Sequence, residues 1–259
     1  MAATDEHGRA AVNPLSRSFG YQTVDERERE RRIRRVFEAV ARRYDLMNDL
    51  MSMGIHRLWK RTLVRLAAPA AGQRIVDLAG GTGDVAARMA ASDRLVAVCD
   101  PSVAMMQAGR ERGHLEVQWL AGTGEHMPLA SGSIDTVTIA FGIRNVTHVE
   151  AALAEALRVL KPGGRFLCLE FSTPWAPVRP FYNLFSFAVI PRLGALVARA
   201  PEAYTYLVES IRRFPDQRAF RVLLERAGFV DVFYRNLSLG IACIHVASKP
   251  LLSTPGPSR

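Results

Sequence analysis

The spacing of apolar residues changes along this chain of 259 residues. From Val24 onward, apolar residues recur every three or four positions, which predicts an amphipathic helix; they are Ile33, Val36, Phe37, Val40, Tyr44 and Met47. The charged run DERERERR (25–32) supplies the opposite face of this helix, and we expect it to be solvated and to form intrahelical Glu/Arg pairs. Residues 1–23 lack this period and are expected to form a mobile N-terminal tail.

After Pro69, short apolar runs typical of strands alternate with helical patterns. The predicted strands are RIVDLA (74–79), RLVAVCD (94–100), VQWLAG (117–122), IDTVTIAFG (134–142) and RFLCLEFS (165–172). Repeated strand–helix–strand units require right-handed crossovers and a mostly parallel sheet with helices on both faces. The predicted fold class is therefore α/β, with a doubly wound, Rossmann-like sheet.

Two further regions complete a single predicted domain over residues 24–250. Residues 173–215 form an aromatic-rich helical insertion after the fifth strand, because they are too many for a plain connection. The runs VDVFYRNLS and GIACIHVAS predict a hairpin at one sheet edge. Residues 251–259 are expected to form a C-terminal tail.

Composition excludes several classes of protein. The chain is 49% hydrophobic and 23% charged, which is typical of a globular protein. It has no run of about 18 apolar residues and no N-terminal hydrophobic stretch, so we expect a cytoplasmic protein. The six histidines are scattered, which predicts no metal site, and Cys99, Cys168 and Cys243 are expected to be buried thiols. The net charge is +9, but no nucleic-acid-binding motif accompanies it.

The segment VDLAGGTGD (76–84) predicts a strand, a glycine turn and a helix. A ligand at the carboxyl end of a strand approaches such a turn closely, and Asp100, at the end of the second strand, can accept hydrogen bonds from a ribose. Residues 81–86 also match the relaxed dinucleotide pattern G-x-G-x-x-A. A nicotinamide-dependent dehydrogenase is therefore one interpretation.

The spacing of Asp77, Gly81 and Gly83 resembles the D-x-x-x-G-x-G motif of class I S-adenosylmethionine-dependent methyltransferases. Over about residues 30–250 the sequence also resembles the ubiquinone/menaquinone biosynthesis C-methyltransferase (UbiE-like) family. The segments that carry the resemblance are YDLMNDLMSMGIHRLWK, FGIRNVTH, LEFSTP, FYNLFSFAVIPRLG, YTYLVESIRRFP and FYRNLSLGIACIH.

This resemblance implies C-methylation of a polyprenylated quinol with S-adenosyl-L-methionine as cofactor. The acceptor would be 2-methoxy-6-polyprenyl-1,4-benzoquinol, demethylmenaquinol or both, and SFGYQTVD looks more like the ubiquinone-route members. Two alternatives stay open. One is a methyltransferase for another small phenolic acceptor, and the other is a cofactor-binding scaffold subunit of a quinone-synthesis complex.

The resemblance also implies a set of site residues. Those expected at the cofactor are Asp77, Gly80, Gly81, Thr82, Gly83, Asp100, Thr123, Gly124 and Ala140. Two of them depart from the family pattern: Thr123 stands where Asn or Asp is usual, and Ala140 where Ser is frequent. A threonine hydroxyl can still donate or accept a hydrogen bond, whereas Ala140 offers only its backbone.

Arg144 and Asn145 are the predicted catalytic pair. Arg144 could stabilise a developing phenolate or orient a water, and the alternative is a surface ion pair. His148 is either a base or a helix-capping residue. Tyr44, Asp45 and Tyr182 are predicted to contact the substrate, although Tyr44 and Asp45 could equally be structural.

The insertion suggests contact with a lipid surface. Its aromatic and aliphatic residues either line a groove for a polyprenyl tail or form ordinary core; they are Phe181, Tyr182, Phe185, Phe187 and Ile190. Arg179, Arg192 and Arg199 could face anionic headgroups. The expected partners are the quinol, the membrane periphery, a quinone-synthesis complex and a second copy of the chain in a homodimer.

Overall fold

The structure is a computed structural model that describes residues 14–41, 48–49, 52–185 and 201–251. Its nine described strands are β1 (Ser18–Phe19), β2 (Gln22–Thr23), β3 (Arg74–Leu78), β4 (Leu95–Asp100), β5 (Val117–Ala121), β6 (Ile134–Ala140), β7 (Leu160–Phe171), β8 (Val230–Leu237) and β9 (Ala242–Ser248). Strands β3 to β9 form one sheet, in the order β5-β4-β3-β6-β7-β9-β8.

The α-helices over the described ranges are α1 (Glu26–Val40), α2 (His56–Ala67), α3 (Asp84–Met89), α4 (Val103–Arg110), α5 (Val149–Val159), α6 (Arg179–Leu184), α7 (Pro201–Arg213) and α8 (Gln217–Arg226). Local sequence fixes several of their first turns. The side chains of Asp25, Ser102 and Asp216 accept hydrogen bonds from backbone N–H groups at the starts of α1, α4 and α8. Such caps satisfy donors that have no partner inside the helix.

The parallel pairing of β3 to β7 confirms the doubly wound fold. The predicted C-terminal hairpin is also present: β9 pairs antiparallel with β7, and β8 forms the outer edge. The fifth strand begins earlier than predicted, at Leu160, which pairs with Ile134. The register then shifts so that Thr136 pairs with Arg165, which makes KPGG an irregularity within the strand rather than a turn before it.

The sheet is buried on both faces because successive side chains of each central strand point in opposite directions. Ile75 belongs to the core that includes apolar residues of α2, α3 and α7. Its neighbour Val76 belongs to the opposite core, which includes residues of α5 and α8. Cys99, Cys168 and Cys243 are buried free thiols, as expected.

Residues 14–23 correct one expectation, because they are packed structure rather than a mobile tail. The Phe19 ring stacks on Tyr206, with ring centroids 4.4 Å apart. The buried Ser18 hydroxyl accepts a hydrogen bond of 2.7 Å from the Arg213 guanidinium. Two-residue strands are too short to produce a periodic pattern, so the sequence could not reveal them.

The charged face of α1 is solvated only in part. Glu28 pairs with Arg31 and Arg32, as predicted. Arg29, in contrast, is 1% exposed, and its guanidinium donates to four oxygen atoms. These are the carbonyl oxygens of Ser18, Arg144 and Asn145 and the Thr147 hydroxyl, at 3.0–3.3 Å. Arg29 lies one turn before Ile33, on the apolar side of the helix.

The insertion is described on both sides of residues 186–200 and contributes α6 and α7. The predictions for Phe187, Ile190, Arg192 and Arg199 lie outside the described residues, as do those for Tyr44 and Asp45. Over the ranges that are described, none of the helices has the length and apolar character needed to cross a membrane.

Candidate functional site

A cavity of about 380 Å³ opens at the carboxyl ends of β3, β4 and β6. Nine of the predicted site residues line it: Asp77, Gly80, Gly81, Thr82, Asp100, Thr123, Gly124, Ala140 and Asn145. This edge of a doubly wound sheet is where nucleotide-like ligands bind, and the volume falls within the range of small-molecule sites.

The glycine turn brings the backbone to the wall of this cavity. Gly81 has φ +56° and Gly83 has φ +76°, conformations that favour glycine. Gly81 lines the cavity, and its N–H donates to the Asp100 carboxylate at 2.9 Å. A Cβ on Gly83 would lie 2.8 Å from the Trp119 ring. Gly83 therefore makes room for the Trp119 ring, and its contact with the cofactor stays a prediction.

Asp100 is 6% exposed, and both of its carboxylate oxygens are held by the backbone. Oδ2 accepts from Gly81 N–H at 2.9 Å and Oδ1 from Ser102 N–H at 2.7 Å. Burial raises the pKa of Asp100 to about 6, although these two donors act in the opposite direction. Each oxygen retains a further lone pair, so the fixed carboxylate can accept both hydroxyls of a ribose.

Asp77 lies directly beneath the glycine turn. Its Oδ1 atom accepts a hydrogen bond of 2.8 Å from the Thr138 hydroxyl on the neighbouring strand. The side chain is 1% exposed, and burial raises its pKa to about 7. The Asp77 carboxylate also packs so closely against Gly80 of the turn that a Cβ there would lie 2.7 Å from its Oδ2 atom, and Asp77 lines the cavity.

A family model described as the ubiE/COQ5 methyltransferase family matches residues 25–249. A Ubiquinone/menaquinone biosynthesis C-methyltransferase UbiE of Rubrivivax gelatinosus is 69% identical, with 93% of this chain and 96% of that protein covered. The chain belongs to the ubiE/COQ5 methyltransferase family. It is an S-adenosylmethionine-dependent methyltransferase, and the nicotinamide-dependent interpretation of its glycine turn is wrong.

Two other relatives span a wide range of organisms. A protein of the same name from Caulobacter vibrioides is 48% identical over 90% of this chain and 98% of its own length. A mitochondrial 2-methoxy-6-polyprenyl-1,4-benzoquinol methylase of Danio rerio is 43% identical over 90% of this chain and 84% of its own.

Solved structures share the fold at low sequence identity. An S-adenosylmethionine-dependent methyltransferase of Thermotoga maritima is 22% identical, with a TM-score of 0.58, 84% of this chain and 99% of that chain covered. The [4+2]-cyclase SpnF is 15% identical, with a TM-score of 0.60, 86% of this chain and 97% of that chain covered. Both likenesses concern the fold.

The described residues of the methyltransferase fit its cofactor. Asp100 stands at the end of the second strand of the core sheet, where a ribose is recognised, and the glycine turn lies beside it. Thr123 and His126 exchange backbone hydrogen bonds of 3.2 and 3.3 Å, which close the loop after β5 against the cavity. Thr123 and Gly124 of this loop line the cavity together with Ala140. The family resemblance places the adenine beside these residues.

Arg144 is buried, which corrects the alternative interpretation of a surface ion pair. It is 4% exposed and forms no part of the described cavity wall. Its Nη1 atom donates to Glu170 at 2.6 Å and to the Phe141 carbonyl oxygen at 2.7 Å. Arg144 therefore makes an ion pair, but a buried one rather than a surface one, and its contact with substrate stays a prediction. Burial raises the pKa of Glu170, while the Arg144 charge opposes that shift.

Asn145, the second predicted catalytic residue, does line the cavity. Its Oδ1 atom accepts a hydrogen bond of 2.9 Å from the Tyr206 hydroxyl, which fixes the orientation of the amide. Tyr182, predicted to contact the substrate, is not among the residues of the described cavity wall. Arg212 lies 5.3 Å from the centre of its ring. Burial raises the pKa of Tyr182 to about 12, although the charges of Arg212 and Arg144 act in the opposite direction.

His148 occupies the N-cap position of α5, but its side chain makes no capping hydrogen bond. Its ring lies 3.5 Å from Glu26 and is 52% exposed. Among the residues that the structure describes, no cluster of His, Cys, Asp and Glu could hold a metal ion.

Sequence reasoning missed several residues of the cavity wall. Glu30, Ile33, Arg34 and Phe37 of α1 lie along one side of it. Lys60 of α2 and Asp84 of α3 face it from the other side and form an ion pair of 2.9 Å. The signal for Lys60 was available: it lies four residues after His56 and three before Leu63, on the buried side of α2.

Proposed function

We propose that this methyltransferase transfers a methyl group to a ring carbon of 2-methoxy-6-polyprenyl-1,4-benzoquinol. The main support is the 69% identity to a UbiE protein over 93% of the chain. The family match over residues 25–249 includes the cavity wall and the described parts of the insertion. The benzoquinol is favoured because SFGYQTVD resembles the ubiquinone-route members and a relative named for that acceptor is 43% identical. Demethylmenaquinol is the second acceptor to test.

The cofactor supplies a methyl group made electrophilic by the positive sulfur that carries it. The chain's own task is to bind and orient both reactants, which can lower a barrier by about 7–11 kcal/mol in well-positioned reactions. Asp100 holds the ribose of the nucleoside end. Asn145, oriented by Tyr206, offers an amide that can hydrogen-bond a quinol oxygen.

The acceptor becomes a carbon nucleophile when a quinol hydroxyl loses its proton. Arg144 cannot remove that proton, because a guanidinium stays protonated at any working pH. In the described arrangement its role is structural: it ties the segment after β6 to Glu170 of β7. Because Asn145 follows Arg144 directly, we propose that this pair keeps the amide of Asn145 at the cavity wall.

A polyprenyl acceptor also leads us to propose peripheral contact with the cytoplasmic face of a membrane. Trp175 and Leu184, at either end of the stretch that contains α6, are 55% and 68% exposed. Arg179 is exposed between them. Aromatic and cationic side chains together suit the boundary between headgroups and acyl chains. A quinone-synthesis complex and a homodimer are further proposed partners.

The direct test is transfer of labelled methyl from S-adenosylmethionine to chemically reduced 2-methoxy-6-polyprenyl-1,4-benzoquinol, with demethylmenaquinol in a parallel reaction. Oxidised quinones and short-chain phenols serve as controls. We expect label on carbon only with the reduced polyprenyl acceptor. Transfer to short phenols alone would replace the proposed acceptor. Cofactor binding without transfer to any acceptor would favour the scaffold role.

A further inference from the structure

A lysine is almost completely buried in the wall of the cofactor cavity. Lys60 lies on α2 and is 4% exposed, although lysine is almost never buried without a partner. Its partner is Asp84, whose Oδ2 atom accepts from Nζ at 2.9 Å. An ammonium group has three N–H donors, and this is the one hydrogen bond that Lys60 makes with the residues that the structure describes.

Asp84 does not neutralise this part of the wall by itself, because it serves two cations. Its Oδ1 atom also accepts from Arg88, at 3.0–3.1 Å. Lys60, Arg88 and Asp84 together therefore carry a net positive charge. The neighbouring carboxyl of Asp77 adds less negative charge than usual, since burial raises its pKa to about 7. The wall at the glycine turn is thus suited to an anionic group.

The turn itself has limited capacity to bind an anion. Gly81 N–H is already bonded to Asp100, and Gly83 N–H to the carbonyl oxygen of Gly80 at 2.9 Å. Asp100 makes the ribose end of the cavity negative. The cavity therefore suits a ligand with a ribose at one end and a carboxylate at the other. The negative Asp100 would accept from the ribose hydroxyls, and the positive Lys60 would face the carboxylate.

We propose that Lys60 binds the α-carboxylate of S-adenosylmethionine. The proposal rests on the cofactor of the proposed function and not on its acceptor, so it can be tested by binding alone. The competing interpretation is structural, in which Lys60 serves only to hold Asp84 at the start of α3. The two interpretations predict different affinities. If Lys60 is only structural, its replacement should change the affinity for ligands with and without a carboxylate by the same factor.

The experiment compares S-adenosylmethionine with decarboxylated S-adenosylmethionine, which keeps the adenosyl group, the sulfonium and the amine. Calorimetry gives the affinity of each ligand for the wild-type protein, K60M, K60R and D84N. K161M is the matched control, because Lys161 also pairs with an aspartate, Asp135, at 2.7 Å but does not line this cavity. Circular dichroism and thermal unfolding establish that each variant is folded.

For K60M we expect a loss of S-adenosylmethionine affinity of roughly 10- to 100-fold, as for a hydrogen bond to a charged group. Affinity for the decarboxylated ligand should change less than about 3-fold, so discrimination between the ligands collapses. K60R should retain part of it, and K161M should retain most of it. D84N leaves the buried ammonium without its carboxylate, so it should still bind S-adenosylmethionine more tightly than the decarboxylated ligand, because the ligand carboxylate then supplies the missing partner.

Equal losses for both ligands in K60M, or no loss for either, would overturn the assignment. Failure of the wild-type protein to bind S-adenosylmethionine would overturn the assignment together with the cofactor. Normal binding and normal discrimination without methyl transfer to any quinol would contradict only the proposed acceptor and would support the role of Lys60.

Discussion

Two regions of the molecule contain buried charges with different roles. One is the cofactor end of the cavity, and the other is the supporting layer next to Asn145, which contains Arg29, Arg144 and Glu170. At the cofactor end, Asp100 and Lys60 are held by the protein and still line open space. In the supporting layer, Arg144 is closed against Glu170 and the Phe141 carbonyl oxygen. Arg29 is likewise surrounded by carbonyl oxygens.

The difference separates binding from support. A group that is to bind a ligand must retain hydrogen-bonding capacity, and its desolvation then costs stability. The raised pKa values of Asp77 and Asp100 express that cost. A buried charge that only supports the wall has its hydrogen-bonding groups bonded to the protein, to carbonyl oxygens for Arg29 and to a carboxylate for Arg144. Removal of either member of the Arg144–Glu170 pair leaves the other charge uncompensated. Variants of the two regions should therefore fail in different assays.

The largest effect on stability is expected for Arg144→Met. It leaves Glu170 buried without its cation, and such a loss destabilises a protein by about 3–5 kcal/mol. Urea unfolding followed by circular dichroism measures it. The double variant R144M/E170L should lose less than the sum of the two single variants, because neither charge remains alone. A change below about 1 kcal/mol in R144M would contradict the supporting role.

Asp100→Asn should do the reverse, with a large effect on binding and a small one on stability. Hydrogen bonds to a charged group contribute about 1.5–3 kcal/mol each. Because asparagine keeps one acceptor oxygen, loss of one of the two ribose contacts should weaken S-adenosylmethionine binding roughly 10- to 150-fold. The free energy of unfolding should change by less than about 1 kcal/mol at pH 8, because removal of a poorly solvated charge offsets a lost backbone contact. Calorimetry measures the affinity.

Asp135→Asn is the control for Asp100→Asn. Asp135 accepts from Lys161 and lies outside the described wall of the cofactor cavity. The affinity of the Asp135→Asn protein for the cofactor should match that of the wild-type protein. An Asp100→Asn protein that also binds normally would remove Asp100 from the ribose site.

Asp77 sharpens the comparison through the pH dependence of stability. Its folded-state pKa is about 7, above the ordinary value of 3.8, so the folded protein keeps a proton that the unfolded chain releases. Stability from this group is complete below about pH 4 and falls as the pH rises toward 7. Relative to wild type, Asp77→Asn should gain about 2–4 kcal/mol across that window. If the difference in the free energy of unfolding between Asp77→Asn and wild type were the same at all pH values, the raised pKa of Asp77 would be contradicted.

The smallest effect is expected for Tyr206→Phe, which tests the link between the two regions. The variant loses the hydrogen bond to Asn145 but keeps the ring that stacks on Phe19. We expect a loss of about 0.5–1.5 kcal/mol in stability, a normal cofactor affinity and a raised KM for the quinol. Tyr21→Phe, at a side chain that is 51% exposed, is the control. An unchanged KM for the quinol would contradict the proposed hydrogen bond between Asn145 and the acceptor.

Much of the fold and the cofactor half of the site could be predicted because their signals are local. Strand and helix periods depend on neighbouring residues, and the turn at residues 80–83 needs glycine where the backbone has positive φ. Asp100 follows from the same logic, since it ends the strand next to that turn. These features belong to short segments whose position in a doubly wound sheet is itself predictable.

Tertiary structure alone decided what the buried charges do. Arg144 meets a glutamate 26 residues later in the chain, and Arg29 meets a carbonyl oxygen 115 residues away. Neither contact has a period or a motif, because whether a charge is solvated or buried depends on which distant segment packs against it. The sequence by itself therefore determined the sheet, the glycine turn and the ribose carboxylate. The fold determined which cations support the wall and which ones, Lys60 and Arg34 among the described residues, face the cavity.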